Sequence, residues 1–156
     1  MNDVTKANGI GRLHHAGISS PNVERLATFY CDLFGFRETF RKSWGPGQGA
    51  DEVLGLTRSA AKMIVVESDH ATLELFEFSE PPTDAPDPDR PVSAGGINHL
   101  CFEVTDLDSE MRRLSAAGMR FHSAPRDVGD GPFTYGRDPD GNIVELWQVE
   151  EQTEAI

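Results

Sequence analysis

The sequence predicts an α+β fold made of two tandem βαβββ modules, and three observations predict it. Leu13-His14-His15-Ala16-Gly17-Ile18-Ser19, followed by Pro21-Asn22-Val23-Glu24, recurs as Ile97-Asn98-His99-Leu100-Cys101-Phe102-Glu103, followed by Thr105-Asp106-Leu107-Asp108. Each copy then runs through an amphipathic stretch to a glycine, and the spans His15 to Gly35 and His99 to Gly118 agree to within one residue. After each glycine come three apolar segments of strand length separated by turn residues. At 156 residues the chain is one compact domain, able to bury roughly two-thirds of the surface its unfolded form exposes.

Taken in order, residues 1–10 read as a flexible N-terminus, 11–80 as the first module, 81–94 as a linker, 95–149 as the second module and 150–156 as a tail. The first helix is placed at Val23 to Phe34, because Val23, Leu26, Ala27, Tyr30 and Phe34 recur at the 3, 4 spacing of a buried stripe. Leu107, Met111, Leu114 and Ala117 repeat that stripe, and Asn22 and Asp106 stand where N-caps belong. Strands are expected at Phe36 to Lys42, Ala61 to Glu67 and Thr72 to Phe78, then at Arg120 to Ser123, Phe133 to Arg137 and Ile143 to Val149. Asp138-Pro139-Asp140-Gly141-Asn142 closes the last hairpin, with Gly141 available for a left-handed position. Pro81 to Arg90 (PPTDAPDPDR) has neither periodicity and reads as a stiff acidic linker. Lys42 to Ala60 has no counterpart of its length in the second half. Trp44 among Gly45, Gly47 and Gly49 suits a lid over a ligand, or a surface loop whose Trp packs on the body.

Lys+Arg number 14 and Asp+Glu 26, a formal net charge of −12. A field of that sign excludes nucleic acid as a partner, since binding a polyanion needs a basic stripe. Cys31 and Cys101 form no C-x-x-C pair or disulfide framework, the first residues lack an unbroken apolar signal region, and no run approaches a membrane span. The chain is therefore expected to be cytoplasmic, with no membrane partner.

Alternation along the strands sorts the chemistry. Ala16 and Ile18 mark the core side of the first strand, leaving His15 on the other; Leu100, Phe102 and Val104 do the same for His99. Leu73 and Leu75 set Glu74 apart, and Val144 and Leu146 set Glu145 apart. Two His and two Glu on one concave sheet face are a nitrogen and oxygen set for a divalent cation with positions left open.

At these residues a resemblance enters. LHHAGISSPNVERLATFYCDLFGF, INHLCFEV and YGRDPDGNIVEL resemble the vicinal oxygen chelate superfamily, which takes in glyoxalases, methylmalonyl-CoA epimerases, extradiol dioxygenases and bleomycin resistance proteins. The resemblance spans Gly11 to Val149 and implies the glyoxalase-like fold, a curved sheet cup, with His15, Glu74, His99 and Glu145 as metal ligands. Retention of four ligands implies an enzyme like methylmalonyl-CoA epimerase or glyoxalase I, an isomerase, epimerase or lyase. Its ion would chelate vicinal oxygens of a small carbonyl substrate and stabilise an enolate. Glu145 is the expected base and Glu74 its partner. Ni, Co, Mn, Fe and Zn all fit the donor set. Two rivals share the fold: an Fe(II) extradiol-type dioxygenase, and a non-catalytic drug- or metabolite-binding resistance protein.

Trp44, Phe76, Trp147, Tyr135 and Arg137 are the expected substrate contacts, Arg137 having Asp138 and Asp140 as alternative partners. His14 is assigned to the helix side and His122 to an exposed strand position. Arg37, Arg41, Lys42, Arg58 and Lys62 form a basic cluster, either a solvated face or a seat for a phosphate such as that of an acyl-CoA; an aromatic metabolite is the other substrate class. The linker can serve a cup within one chain or one shared by a homodimer, and a homodimer is expected.

Overall fold

The structure, a computed structural model, describes residues 9–149. The termini expected to fray, 1–10 and 150–156, fall outside the described residues apart from Gly9 and Ile10. The first module comprises β1 (Ala16–Ser19), α1 (Val23–Phe34), β2 (Arg37–Trp44), α2 (Asp51–Leu54), β3 (Ala60–Glu67) and β4 (Thr72–Glu80). The second comprises β5 (His99–Val104), α3 (Leu107–Ala116), β6 (Arg120–Phe121), β7 (Arg126–Asp127), β8 (Pro132–Arg137) and β9 (Ile143–Gln148). Strand orders are β1-β4-β3-β2 and β5-β9-β8-β6, with β7 also on β8. In each sheet the first strand runs parallel to the last, and the rest are antiparallel.

Both helices begin where the sequence places them. The Asn22 side chain accepts from Arg25 N and that of Asp106 from Ser109 N, each at 3.0 Å, satisfying a first-turn donor. Gly35 closes α1 at φ 70°, a left-handed cap that suits a residue without Cβ.

Three departures have local causes. β2 continues to Trp44, so the inserted loop begins after the tryptophan instead of carrying it. Within the insertion, the Asp51 carboxylate accepts from Arg58 N and Ser59 N, fastening the one-turn α2 that its composition did not announce. In the second module the strand expected at Arg120 to Ser123 stops after Phe121 and a second short strand, β7, pairs with β8 from Arg126; Pro125, just before it, has no N–H to give to a ladder.

One core serves both modules. α1 buries Val23, Leu26 and Tyr30 together with Ile64, Val66, Leu73 and Leu75 from the first sheet and with Leu107, Leu114, Val144 and Leu146 from the second module. Phe34 and Phe36 both pack on Phe102 of β5, at 4.8 and 6.1 Å between ring centroids. Polar ties reinforce the join: Arg113 Nη2 donates to Leu33 O (2.7 Å), Tyr30 OH to Asp138 Oδ2 (3.2 Å), and Arg25 pairs with Asp140. Burial lifts the Tyr30 hydroxyl well above its ordinary value, with Asp138 adding to it, so it stays a neutral donor. The helix sides of the two sheets thus face a common interior, and the opposite face of each sheet turns outward.

The linker is strapped to the second module. Arg137 Nη2 donates to Arg90 O at 2.8 Å, and Arg120 reaches Pro88 O at 3.3 Å. Pro88 lies so close to Gly141 that a Cβ there would meet its Cα at 2.5 Å.

Candidate metal and substrate site

On the outward face of the first sheet His15 Nε2 lies 3.4 Å from Glu74 Oε2, and on that of the second His99 Nε2 lies 2.9 Å from Glu145 Oε2. The pairs are equivalent by register. Gly17 stands opposite Glu74 and Cys101 opposite Glu145, and each histidine precedes that partner by two residues on the same face. The two pairs stay apart in one chain: among the described residues no three His, Cys, Asp or Glu side chains converge closely enough to hold an ion. The shared helical core accounts for this, since both pairs point away from it.

Each pair fits a cation as two neighbouring ligands. Donor atoms about 2.1 Å from an ion are separated by about 3.0 Å at a right angle and about 3.4 Å at a tetrahedral angle, close to the 2.9 Å of His99–Glu145 and the 3.4 Å of His15–Glu74. Their surroundings differ. His15 Nδ1 is 2.8 Å from His14 Nδ1, whereas His99 Nδ1 is buried without a hydrogen-bond partner. For His15 to offer a lone pair at Nε2, its Nδ1–H must donate to His14. Sequence alternation assigned His14 to the helix side, but it precedes β1, and its exposed ring meets His15 edge-on at 5.1 Å.

The flanking residues are aromatic. Phe76 stacks on Phe78 at 5.8 Å, and Trp44 meets both edge-on at 6.4 and 6.1 Å while its Nε1 donates to Ser59 Oγ. Trp44 therefore packs on the sheet body, the second of its two expected roles. Tyr135 stands opposite Glu145 and 5.3 Å from the His99 ring. Burial, Glu145 and then Cys101 raise its hydroxyl above the ordinary value, so it remains a proton donor. The Cys101 thiol, on an otherwise exposed residue, is pushed up to about 12 by burial and the facing Glu145, which keeps it protonated. Trp147 follows Glu145 on the same face, its Nε1 donating to Asp130 O at 3.0 Å.

Arg137 is placed differently from an open substrate contact. It is 8% exposed, and it donates to His122 Nε2 (3.0 Å), Gly141 O (2.8 Å) and Arg90 O. Its guanidinium binds hairpin and linker, while Asp138 and Asp140 turn to Tyr30 and Arg25. His122, exposed as expected, is held below its ordinary value by burial of its ring and then by Arg137 and Arg120. The expected basic cluster dissolves into ion pairs: Arg37 with Asp69, Arg41 with Glu24 and Glu38, Arg58 with Glu80, Lys62 with Glu77. Only Lys42 of the five lacks a partner among the described residues. No helix of the described residues is long and apolar enough to cross a membrane.

Comparison with known proteins identifies the family. The family described as Glyoxalase/Bleomycin resistance protein/Dioxygenase superfamily matches residues 12–146. The chain is 30% identical over 141 residues to the uncharacterized protein YaeR of Escherichia coli, covering 90% of this chain and 98% of that protein. It is 28% identical to an ethylmalonyl-CoA/methylmalonyl-CoA epimerase of Cereibacter sphaeroides, with 90% and 99% covered. A glyoxalase family protein from Bacillus cereus superposes with a TM-score of 0.80 at 23% identity, over 92% of this chain and 97% of that one. With the repeated strand–helix–sheet units, the paired His and Glu and a family match over most of its length, the chain belongs to the glyoxalase/bleomycin resistance/dioxygenase superfamily.

Proposed function

We propose that the protein is a divalent-metal-dependent enzyme that removes and returns a proton beside the carbonyl of a small substrate, as an epimerase, isomerase or lyase does. The observation that carries this reading is the register equivalence of the His15–Glu74 and His99–Glu145 pairs. Similarity to an epimerase over nine-tenths of the chain supports it. Because neither pair alone completes a ligand set, the site is proposed to form between two copies, His15 and Glu74 of one chain meeting His99 and Glu145 of the other. Unpaired outer edges of β1 and β5 support such a junction, as do Leu13 and Ile97, 89% and 87% exposed, each two residues before its histidine.

A divalent ion held by these residues supplies Lewis acidity to a carbonyl and its neighbouring oxygen, easing loss of the adjacent proton. The residues do the rest. Glu145 takes that proton and Glu74, from the opposite module, returns one to the other face; return to the same face gives exchange without inversion. Tyr135, kept protonated, donates a hydrogen bond to the substrate oxygen where charge builds. Phe76, Phe78 and Trp44 exclude water from the carbon that loses its proton.

The test is exchange of the substrate's α-proton in deuterated water, using methylmalonyl-CoA as the probe, with metal content measured in parallel. Chelation is expected to abolish exchange and readdition to restore it. Glu145→Gln should retain most of the metal and lose at least about 100-fold in rate, the usual contribution of a general base. Metal-free protein that exchanges at the full rate would overturn the reading.

A further inference from the structure

With 26 acids for 14 bases, a cation without a partner is unusual in this chain. Among the described residues, only Arg12, Lys42 and Arg126 reach no carboxylate, carbonyl or hydroxyl. Arg12 precedes β1. The other two occupy matching places. Lys42 is paired with Met63, Met63 with Phe76, and Phe76 with Ser19, one row across the outward face of the first sheet. Arg126 is paired with Phe133, Phe133 with Trp147, and Trp147 with Glu103, one row across the second.

These are the same row in the two modules. Phe76 follows Glu74 by two residues, Trp147 follows Glu145 by two, and in each sheet the cation lies two strands beyond. With strands about 4.8 Å apart and a rise of about 3.3 Å per residue, each cation's Cα is about 12 Å from that of its module's Glu. Apolar surface fills the interval, Met63 and Phe76 in one sheet and Phe133 and Trp147 in the other. The one carboxylate in these rows, Glu103, is at the far end from Arg126, across three strand spacings or about 14 Å. A chain of net charge −12 repels anions at long range, so any anion it binds must be met by local cations such as these.

We propose that the substrate of this site carries an anionic terminus, a carboxylate or phosphate, at the end of a flat apolar body, and that Lys42 and Arg126 recognise it. The inference rests on the metal-site reading, which places the substrate's chelating oxygens at the His–Glu pairs. Side chains of Lys and Arg are long enough to extend over the aromatic row, which would leave about 8 Å between chelating oxygens and anion, one benzene ring with its substituents. The aromatic rings below supply the flat surface.

Three chelating probes test this by calorimetric titration of Ni²⁺-loaded protein: benzohydroxamate, 4-carboxybenzohydroxamate and 4-phosphonobenzohydroxamate. An anionic probe is expected to bind about tenfold tighter than the neutral one at low salt, an advantage that shrinks as salt is added. The better of the two identifies the terminal group. Lys42→Gln and Arg126→Gln should each reduce the advantage about threefold or more and leave benzohydroxamate within about twofold. Equal binding of all three probes by the unsubstituted protein overturns the proposal without relying on any variant. Equal losses for neutral and anionic probes in both variants overturn it too. Unchanged affinity of the anionic probes after chelation would overturn the metal reading alone, while their charge preference would uphold the anion site.

Discussion

Glu77 shows how much one side chain can do out of sight of the sequence pattern. Its Oε2 accepts from Val23 N at 3.0 Å, closing the N-terminus of α1 from the neighbouring sheet, and its Oε1 meets Lys62 at 3.2 Å. The Val23 N–H, and after it Lys62, hold this carboxyl below the usual carboxylate range. Replacing Glu77 by Ala should cost about 1 kcal/mol in urea unfolding, as for a lost helix cap. A depressed folded value means that this stability is present above the ordinary carboxylate value and lost as pH falls through the lower one. The acid limb of the stability profile should therefore be shallower in Glu77→Ala. Glu74 was legible in the sequence because the second half repeats it as Glu145; Glu77 was not, because capping depends on which sheet the helix lies against. His14 failed for a related reason: alternation applies only inside a strand, and β1 begins two residues later.

Among the elements, the last hairpin joins the linker to the second module and, through Asp138 and Asp140, to α1. Asp138 accepts from the backbone of Asp140 and Asn142 at 2.9 Å, and Gly141 turns at φ 85° directly beneath Pro88. The turn residues announced the hairpin, and 3, 4 periodicity with the caps announced both helices, since these signals are local. That the linker would lie on this turn was not legible, because nothing local encodes a contact across fifty residues. Gly141→Ala combines a strained left-handed residue with a backbone clash, so it should lower stability by about 2 kcal/mol or more. It should also speed proteolysis within residues 81–94 under native conditions, since the strap no longer seats. A matched Gly129→Ala, also at positive φ but with open space around it, should leave linker cleavage unchanged.

At the scale of the whole molecule, packing both helix layers inward leaves the His15–Glu74 and His99–Glu145 pairs on outward faces. The linker's reach alone is compatible with a cup inside one chain or between two, which is why sequence offers four candidate ligands and leaves their grouping open. Grouping between copies makes a specific prediction. His15→Ala and His99→Ala proteins, each deficient in metal, should regain about a quarter of the normal metal when mixed in equal amounts and allowed to exchange subunits, because about half the dimers are then mixed and one of the two sites in each mixed dimer is intact. Mixing should have no effect if each chain holds its own ion. Such an assembly also joins two equilibria that are separate in a one-chain cup. In it the ion would bind only where two copies meet, so metal and partner would each raise the other's affinity by the same factor. Dilution would then release metal, and added metal would tighten the dimer, making the protein's own concentration an effector of its catalytic centre.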